Sequence, residues 1–285
     1  MKISAFAYAK VNLYLKVLEK RNDGLHNLDM IMQSVSLADK VTLKTEYGNS
    51  ITVVCNGAKI DYNIAETAAK AYFSCAGMAA PNIKIEIEKN IPISGGLAGG
   101  SADAAAVLAL CNRVFGYLSQ DELLELAGKI GSDVPFCLIG GTARVGGFGE
   151  KIQSFESDSD YTMVLVKART KHSTGHMYAL LDKSQHHISA DSDLLINYLK
   201  HNDKRACEHM QNDFTQLWND VASLEICSML NEHGANAVNL SGSGPTFYGV
   251  FYSKDDAQNC FNELRKKYNL VYLCSPVTSG IKIIE

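Results

Sequence analysis

Residues 92–103 read Pro92-Ile93-Ser94-Gly95-Gly96-Leu97-Ala98-Gly99-Gly100-Ser101-Ala102-Asp103, with four glycines between an alternating strand pattern and a long helical run. Such a segment suits a backbone that wraps around a polyphosphate. Glycine removes the Cβ and tolerates positive φ, so that amide N–H groups converge on an anion. The helix that follows adds unpaired N-terminal N–H groups and the positive end of its dipole. Upstream, Ile83, Ile85 and Ile87 alternate with Lys84, Glu86 and Glu88, the period of a half-buried strand. Downstream, Ala102 to Leu110 is rich in good helix formers, and Ser101 is placed either to cap that helix or to ligate Mg²⁺. On local pattern alone, a Gly-rich hairpin is the alternative.

Two familiar phosphate motifs are excluded. Gly95 and Gly100 have G-x-x-x-x-G spacing, but Ser101 stands where a P-loop requires Lys. No G-x-G-x-x-G dinucleotide fingerprint can be read there either. A cation to neutralise the phosphates must therefore come from elsewhere in the chain or from a metal.

The chain has 285 residues, enough for one large domain or two modest ones. A net charge of −4 argues against nucleic acid as a partner. The eight cysteines form no C-x-x-C pair, and most of them read as buried free thiols of a reducing compartment. The N-terminal segment lacks the apolar run of a signal peptide, and no window reaches the roughly 20 apolar residues of a membrane span. The expectation is a cytoplasmic protein without a membrane partner, as a monomer or a homodimer.

Strand patterns occupy the first third, at 11–17, 31–37, 40–46 and 51–55, followed by a helix at about 64–78, the strand at 83–87 and the glycine segment. A helix at about 120–130 ends at Gly131, and strands follow at 141–145 and 161–167. The second half is richer in helix, at about 173–183, 192–202, 204–218, 221–233 and 254–268, with strands at 235–240, 246–252, 270–274 and 280–284. This is an α+β pattern with two lobes, 1–155 and 156–285, divided near the Ser154–Asp160 segment.

Three further clusters carry chemistry. On one strand face, Lys10 and Asn12 lie together, and Asp23-Gly24 signals a hairpin that brings His26 back toward that strand. On pattern alone, such a Lys is more often simply solvated. Asp133, in Gly131-Ser132-Asp133-Val134-Pro135-Phe136, sits on a turn with apolar neighbours, and a helix cap or Asx-turn is an even alternative. Ser241-Gly242-Ser243-Gly244-Pro245-Thr246 forms a tight turn that touches phosphate, braces the first glycine loop, or is a plain hairpin. His172 and His176 have i,i+4 spacing but no third ligand nearby, so a helix cap at Ser173 or Thr174 is favoured over a metal.

Taken together, these stretches resemble the GHMP kinases, with the family's three motifs at 8–13, 92–104 and 240–246. Ala9-Lys10-Val11-Asn12-Leu13, Asp23-Gly24-x-His26, Asn212-Asp213-Phe214 and the Asp133 segment extend the likeness over nearly the whole chain. The resemblance implies a two-lobed kinase fold, with an N-terminal lobe like ribosomal protein S5 domain 2 and a C-terminal α/β lobe. It implies ATP-dependent phosphorylation of the 2-hydroxyl of a cytidyl-linked methylerythritol, a step of non-mevalonate isoprenoid precursor synthesis. Other outcomes within the resemblance are a kinase of homoserine or a mevalonate-like alcohol, or a non-catalytic nucleotide-binding relative. Carried over, Asp133 is the catalytic base, Lys10 its partner, and residues 92–103 hold the ATP phosphates with Mg²⁺ assisting at Ser101. Asn12, Leu25, His26, Thr174 and Tyr178 fall to the substrate, and Asn63 and Ile60 to the adenine. The chain departs from the family pattern at Ala98, Ala102 and Leu25, where Gly, Ser and Tyr are usual. Tyr178 then becomes the candidate platform for the base.

Overall fold

Ile83, Ile85 and Ile87 are fully buried on β4 (Asn82–Glu88) in the computed structural model, which describes the chain except residues 47, 57–62, 171, 185–187 and 285. Burying such a side chain contributes roughly 1.5–3 kcal/mol, which is why the alternation fixes which face of the strand turns inward. β4 belongs to a seven-stranded sheet in which β11 (Ile281–Ile284), β1 (Lys2–Lys20), β2 (His26–Glu46), β4 and β3 (Ile51–Asn56) lie side by side. A branch of β5 (Thr142–Gly147) and β6 (Lys151–Phe155) pairs with the near end of β2. The helices α1 (Ile64–Cys75), α2 (Gly99–Phe115), α3 (Gln120–Ile130) and α4 (Val134–Ile139) accompany this sheet, with α2 the most deeply buried.

The second sheet is four-stranded and antiparallel, in the order β10 (Val271–Cys274), β7 (Thr162–Lys167), β9 (Thr246–Phe251), β8 (Ala237–Ser241). α5 (Thr174–Leu181), α6 (Ser192–Lys200) and the short α7 (Ala206–His209) follow β7 and lead to α8 (Val221–Glu232), and α9 (Lys254–Lys267) follows β9. The linker at 156–161 separates β6 from β7, while β11 returns to pair with β1, tying the end of the chain to the first sheet.

Several elements differ from their sequence reading for identifiable reasons. The strands expected at 31–37 and 40–46 are one long β2, because β1 pairs with it along nearly its whole length. The helix expected over 204–218 survives only as α7 and a 3₁₀ turn at Thr215–Leu217. Asn212 breaks it: its amide donates to the carbonyls of Leu240 (2.7 Å) and Gly242 (2.9 Å), and its oxygen accepts from Phe214 N. Ser101 does not cap α2, whose first residue is Gly99 and whose cap position is Ala98 with no side-chain bond. Val134 starts α4, with Pro135 in its first turn where the missing N–H is harmless. β6 lies where the sequence suggested the beginning of a boundary loop.

Candidate active site

β1 is where the site begins. Its register against β2 shifts between Tyr8 and Ala9 and again between Asn12 and Tyr14, so Lys10 and Asn12 lie on a short segment between two irregularities. Bulges of this kind bend a strand and re-aim its side chains. Lys10 is 4% exposed, not solvated as a strand lysine ordinarily is. Its Nζ donates to Asn12 Oδ1 at 2.8 Å and lies 3.8 Å from Asp133 Oδ2. The same Asn12 oxygen accepts from Gly242 N at 3.0 Å, and the Asn12 amide meets Met30 Sδ at 3.4 Å. Asn12 therefore borders the site with its polar atoms already engaged in holding Lys10 and the second glycine turn.

Asp133 occupies the cap position of α4 but makes no capping bond, and its carboxylate is partly open to solvent at 31% exposure. The alternative reading as a helix cap is not what its side chain does. Lys10 and Asp133 both border a cavity of about 850 Å³.

The glycine segment forms another wall. Lys10 N donates to Leu97 O, and Ser241 Oγ donates to Gly96 O at 2.9 Å, so β1 and the 241–246 turn grip the loop from two sides. Gly96 has φ +77°, and a Cβ there would stand 2.3 Å from Ser241 O. The turn thus braces the loop, with Gly242 and Ser243 also on the cavity wall. Ala98 takes the left-handed conformation, φ 56° and ψ 29°, immediately before α2. Pro92, Ile93, Ser94, Gly95, Gly96, Ala98, Gly99, Gly100 and Asp103 line the cavity. Leu97 and Ala102 turn into the core, and Ser101 is outside the lining, half-buried in the first turn of α2.

Beneath the loop is an ion cluster that sequence reasoning missed. Lys89 Nζ donates to Asp39 Oδ2 (2.5 Å) and Asp103 Oδ2 (2.6 Å). Asp39 also accepts from Asn90 N and Ile91 N, while Asp103 Oδ1 is buried without a partner. Burial pushes the Asp103 carboxyl up to about 7, against the pull of Lys89. Burial alone would lower the Lys89 amine, but the two carboxylates outweigh it and hold it above the usual range. The only sequence signal was Lys89-Asn90-Ile91-Pro92 directly ahead of the glycines; Asp39 is a lone acid in a strand pattern.

At the other end, the hairpin turn with Gly24 at φ +85° brings His26 opposite Lys20, at the far end of β1 from the register of Lys10, which pairs with Ser34. The His26 ring stacks on Tyr178 with centroids 5.2 Å apart, and Tyr178 meets Phe214 edge-on at 4.9 Å. Burial pushes the Tyr178 hydroxyl up to about 12, so it remains a donor. Leu25 is 52% exposed, and Thr174, whose hydroxyl is 3.3 Å from that of Ser243, lies across the opening. Leu25, His26, Thr174 and Tyr178 all border the same cavity, as does Asn63 at the α1 cap; Ile60 lies outside the described residues.

Ser173, one of the two residues the sequence offered, caps α5, and His172 packs against Trp218. Among the described residues no group of three or more His, Cys, Asp or Glu side chains is arranged to hold a metal ion. None of the described helices is long and apolar enough to cross a membrane. All eight cysteines are free, and four of them are buried.

Comparison with known proteins agrees with this geometry. Residues 63–141 match the model for the GHMP kinases N terminal domain and residues 222–270 that for the GHMP kinases C terminal domain. The 4-diphosphocytidyl-2-C-methyl-D-erythritol kinase of Clostridium tetani is 37% identical, covering 97% of this chain and all of the relative. The enzyme of that name from Caldanaerobacter subterraneus is 35% identical over the full length of both. A crystal structure of 4-(cytidine 5'-diphospho)-2C-methyl-D-erythritol kinase superposes with a TM-score of 0.82 at 26% identity, covering 96% of this chain and 98% of that one. A homoserine kinase from Cytophaga hutchinsonii shares the fold, with a TM-score of 0.77 at 19% identity, over 99% of this chain and 97% of its own.

Proposed function

Because the chain belongs to the GHMP kinase family, we propose that it transfers the γ-phosphoryl of ATP to the 2-hydroxyl of 4-diphosphocytidyl-2-C-methyl-D-erythritol, a step toward isoprenoid precursors. The observation that carries this reading is the Lys10–Asp133 pair on the wall of a cavity whose opposite reaches hold the glycine loop and the His26–Tyr178 stack. The full-length likeness to kinases of that substrate supports it.

An alcohol is a poor nucleophile near neutral pH, so a positioned carboxylate helps to remove its proton. In the proposed reaction the 2-hydroxyl proton passes to Asp133 as the oxygen attacks the γ-phosphorus. The bond from that phosphorus to the β,γ-bridging oxygen breaks, and ADP leaves. Lys10, fixed by Asn12, orients the hydroxyl and stabilises charge on the transferring phosphoryl. The loop N–H groups and the start of α2 hold the remaining phosphate charge. Mg²⁺ would be carried in on the ATP oxygens, since such ions are bound through one or two protein ligands and the substrate phosphates. Ser101, half-buried in the first turn of α2, lies outside the cavity lining, so the loop hydroxyl that would join the ion is that of Ser94, and the ion's contribution would be charge neutralisation on the phosphates. Eight free cysteines support a reducing, cytoplasmic setting for this reaction.

The test is direct. Purified protein is given Mg²⁺-ATP with the cytidyl alcohol, homoserine or mevalonate in parallel, and ADP release is followed. Turnover confined to the first is expected. Turnover with homoserine or mevalonate instead would move the assignment within the family, and ATP binding without turnover on any of them would favour a nucleotide sensor.

A further inference from the structure

Asp182 follows the last residue of α5, one helical turn beyond Tyr178. The two side chains act on one imidazole. The Tyr178 ring lies against the face of His26, at 16° to it, and Asp182 Oδ1 meets the His26 edge at Nε2, 2.8 Å away. The other Asp182 oxygen accepts from Lys20 Nζ at 3.0 Å. Lys20 is the cross-strand partner of His26, so both ends of the hairpin stem converge on this one carboxylate. The His26 side chain is 8% exposed although Asp182 is 36% exposed, and all four residues border the cavity.

From this arrangement we infer that Asp182 is a positioning residue for the cytidyl end of the substrate, resting on the reading above. It pins the edge of His26, directs the Nε2 hydrogen toward itself, and holds the 21–25 turn against α5. Tyr178 alone cannot do this, because stacking fixes the plane of a ring but leaves it free to rotate within that plane. A hydrogen bond at the ring edge removes that rotation. Lys20 in turn prevents the carboxylate from swinging into solvent. Asp133 stands at the start of α4 and makes no bond to this clasp of α5 and the β1–β2 turn, so the effect falls on recognition of the base-bearing substrate.

Three variants test it by steady-state kinetics with the cytidyl alcohol and ATP varied separately. Asp182→Ala is expected to raise KM for the cytidyl alcohol about tenfold or more, the scale of losing a hydrogen bond to a charged group. The kcat falls by less than KM rises, and KM for ATP moves by less than about twofold. Asp182→Asn, which retains an acceptor for Nε2, is expected to recover part of the loss, and Lys20→Met to give a smaller rise. An unchanged KM in Asp182→Ala overturns the role of Asp182, as does an equal loss in kcat and in both KM values, which would mark a merely structural residue. Wild-type protein with no turnover on the cytidyl alcohol overturns the substrate assignment itself, and with it this inference.

Discussion

The Lys10 amine and the Asp133 carboxylate face each other across 3.8 Å, beyond the reach of a hydrogen bond. Lys10 spends its short contact on Asn12, which leaves the carboxylate unlocked and open to the cavity. A tight ion pair would have to be broken before a hydroxyl proton found an acceptor.

That gap leads to the first prediction. Asp133→Asn should lower kcat by at least ~10²-fold, the scale for a lost general base. Folding should be little affected, because the Asp133 side chain caps nothing. Lys10→Ala should also lose rate, with ATP affinity changed less than kcat. ADP release and a thermal melt on each variant check both points, and near-normal turnover of the Asn variant would remove Asp133 from the mechanism.

Ala98 carries the second prediction. At φ 56° its Cβ crowds the backbone, a strain of roughly 1–2 kcal/mol for a non-glycine residue. Ala98→Gly removes that strain but gives the unfolded chain back roughly 0.5–1 kcal/mol of entropy. A net gain of up to about 1.5 kcal/mol is expected, read as a higher urea midpoint with unchanged slope. Ala98→Val should lose stability, since a β-branched residue fits this region poorly. A less stable glycine variant would mean that the alanine methyl packs usefully enough to offset its strain.

Much of this was legible in the residues, for reasons that differ from place to place. The period-2 isoleucines and the glycine run before α2 are local signals, and local sterics decide them. Asp23-Gly24 likewise announced the β1–β2 turn. Lys10 read as solvated on pattern, because its burial depends on Gly242 and α4, which lie far away in the chain, as well as on nearby Asn12. Asp39 and Asp182 were invisible for the same reason: one is paired through Lys89 and the other through His26 and Lys20, none of them a sequence neighbour. The run at 204–218 looked helical until the side chain of Asn212 was claimed by two carbonyls of another strand and turn.

Asp103 makes stability depend on pH. Its carboxyl titrates at about 7 in the folded protein because it is desolvated, whereas an unfolded Asp ionises near pH 4. Between those values the folded state holds a proton that the unfolded state has released. This group therefore favours folding at the acid end, its contribution shrinks as pH rises from about 4 to about 7, and it is constant above that. Asp103→Asn should flatten that part of the profile, measured as urea midpoints at pH 5, 6 and 7 for both proteins. Parallel profiles would mean that Lys89 keeps Asp103 ionised throughout.

Leu25 offers a gain of function as the last prediction. Its side chain is half in solvent at the cavity mouth, next to the His26–Tyr178 stack. Its backbone is held independently of that side chain: Leu25 N donates to Asp23 Oδ1, and Leu25 O accepts from Arg21 N. Leu25→Tyr should therefore preserve the turn while placing an aromatic face where a pyrimidine can stack. Stacking on an aromatic side chain is worth about 1–3 kcal/mol per base, so KM for the cytidyl alcohol should fall about fivefold or more. KM for ATP should not change, because the glycine loop lies at another part of the cavity. The same substitution discriminates between substrates: homoserine has no base to stack, so its kinetics should be indifferent to residue 25. An equal effect on both alcohols, or none on the cytidyl one, would show that the base lies elsewhere than beside this turn.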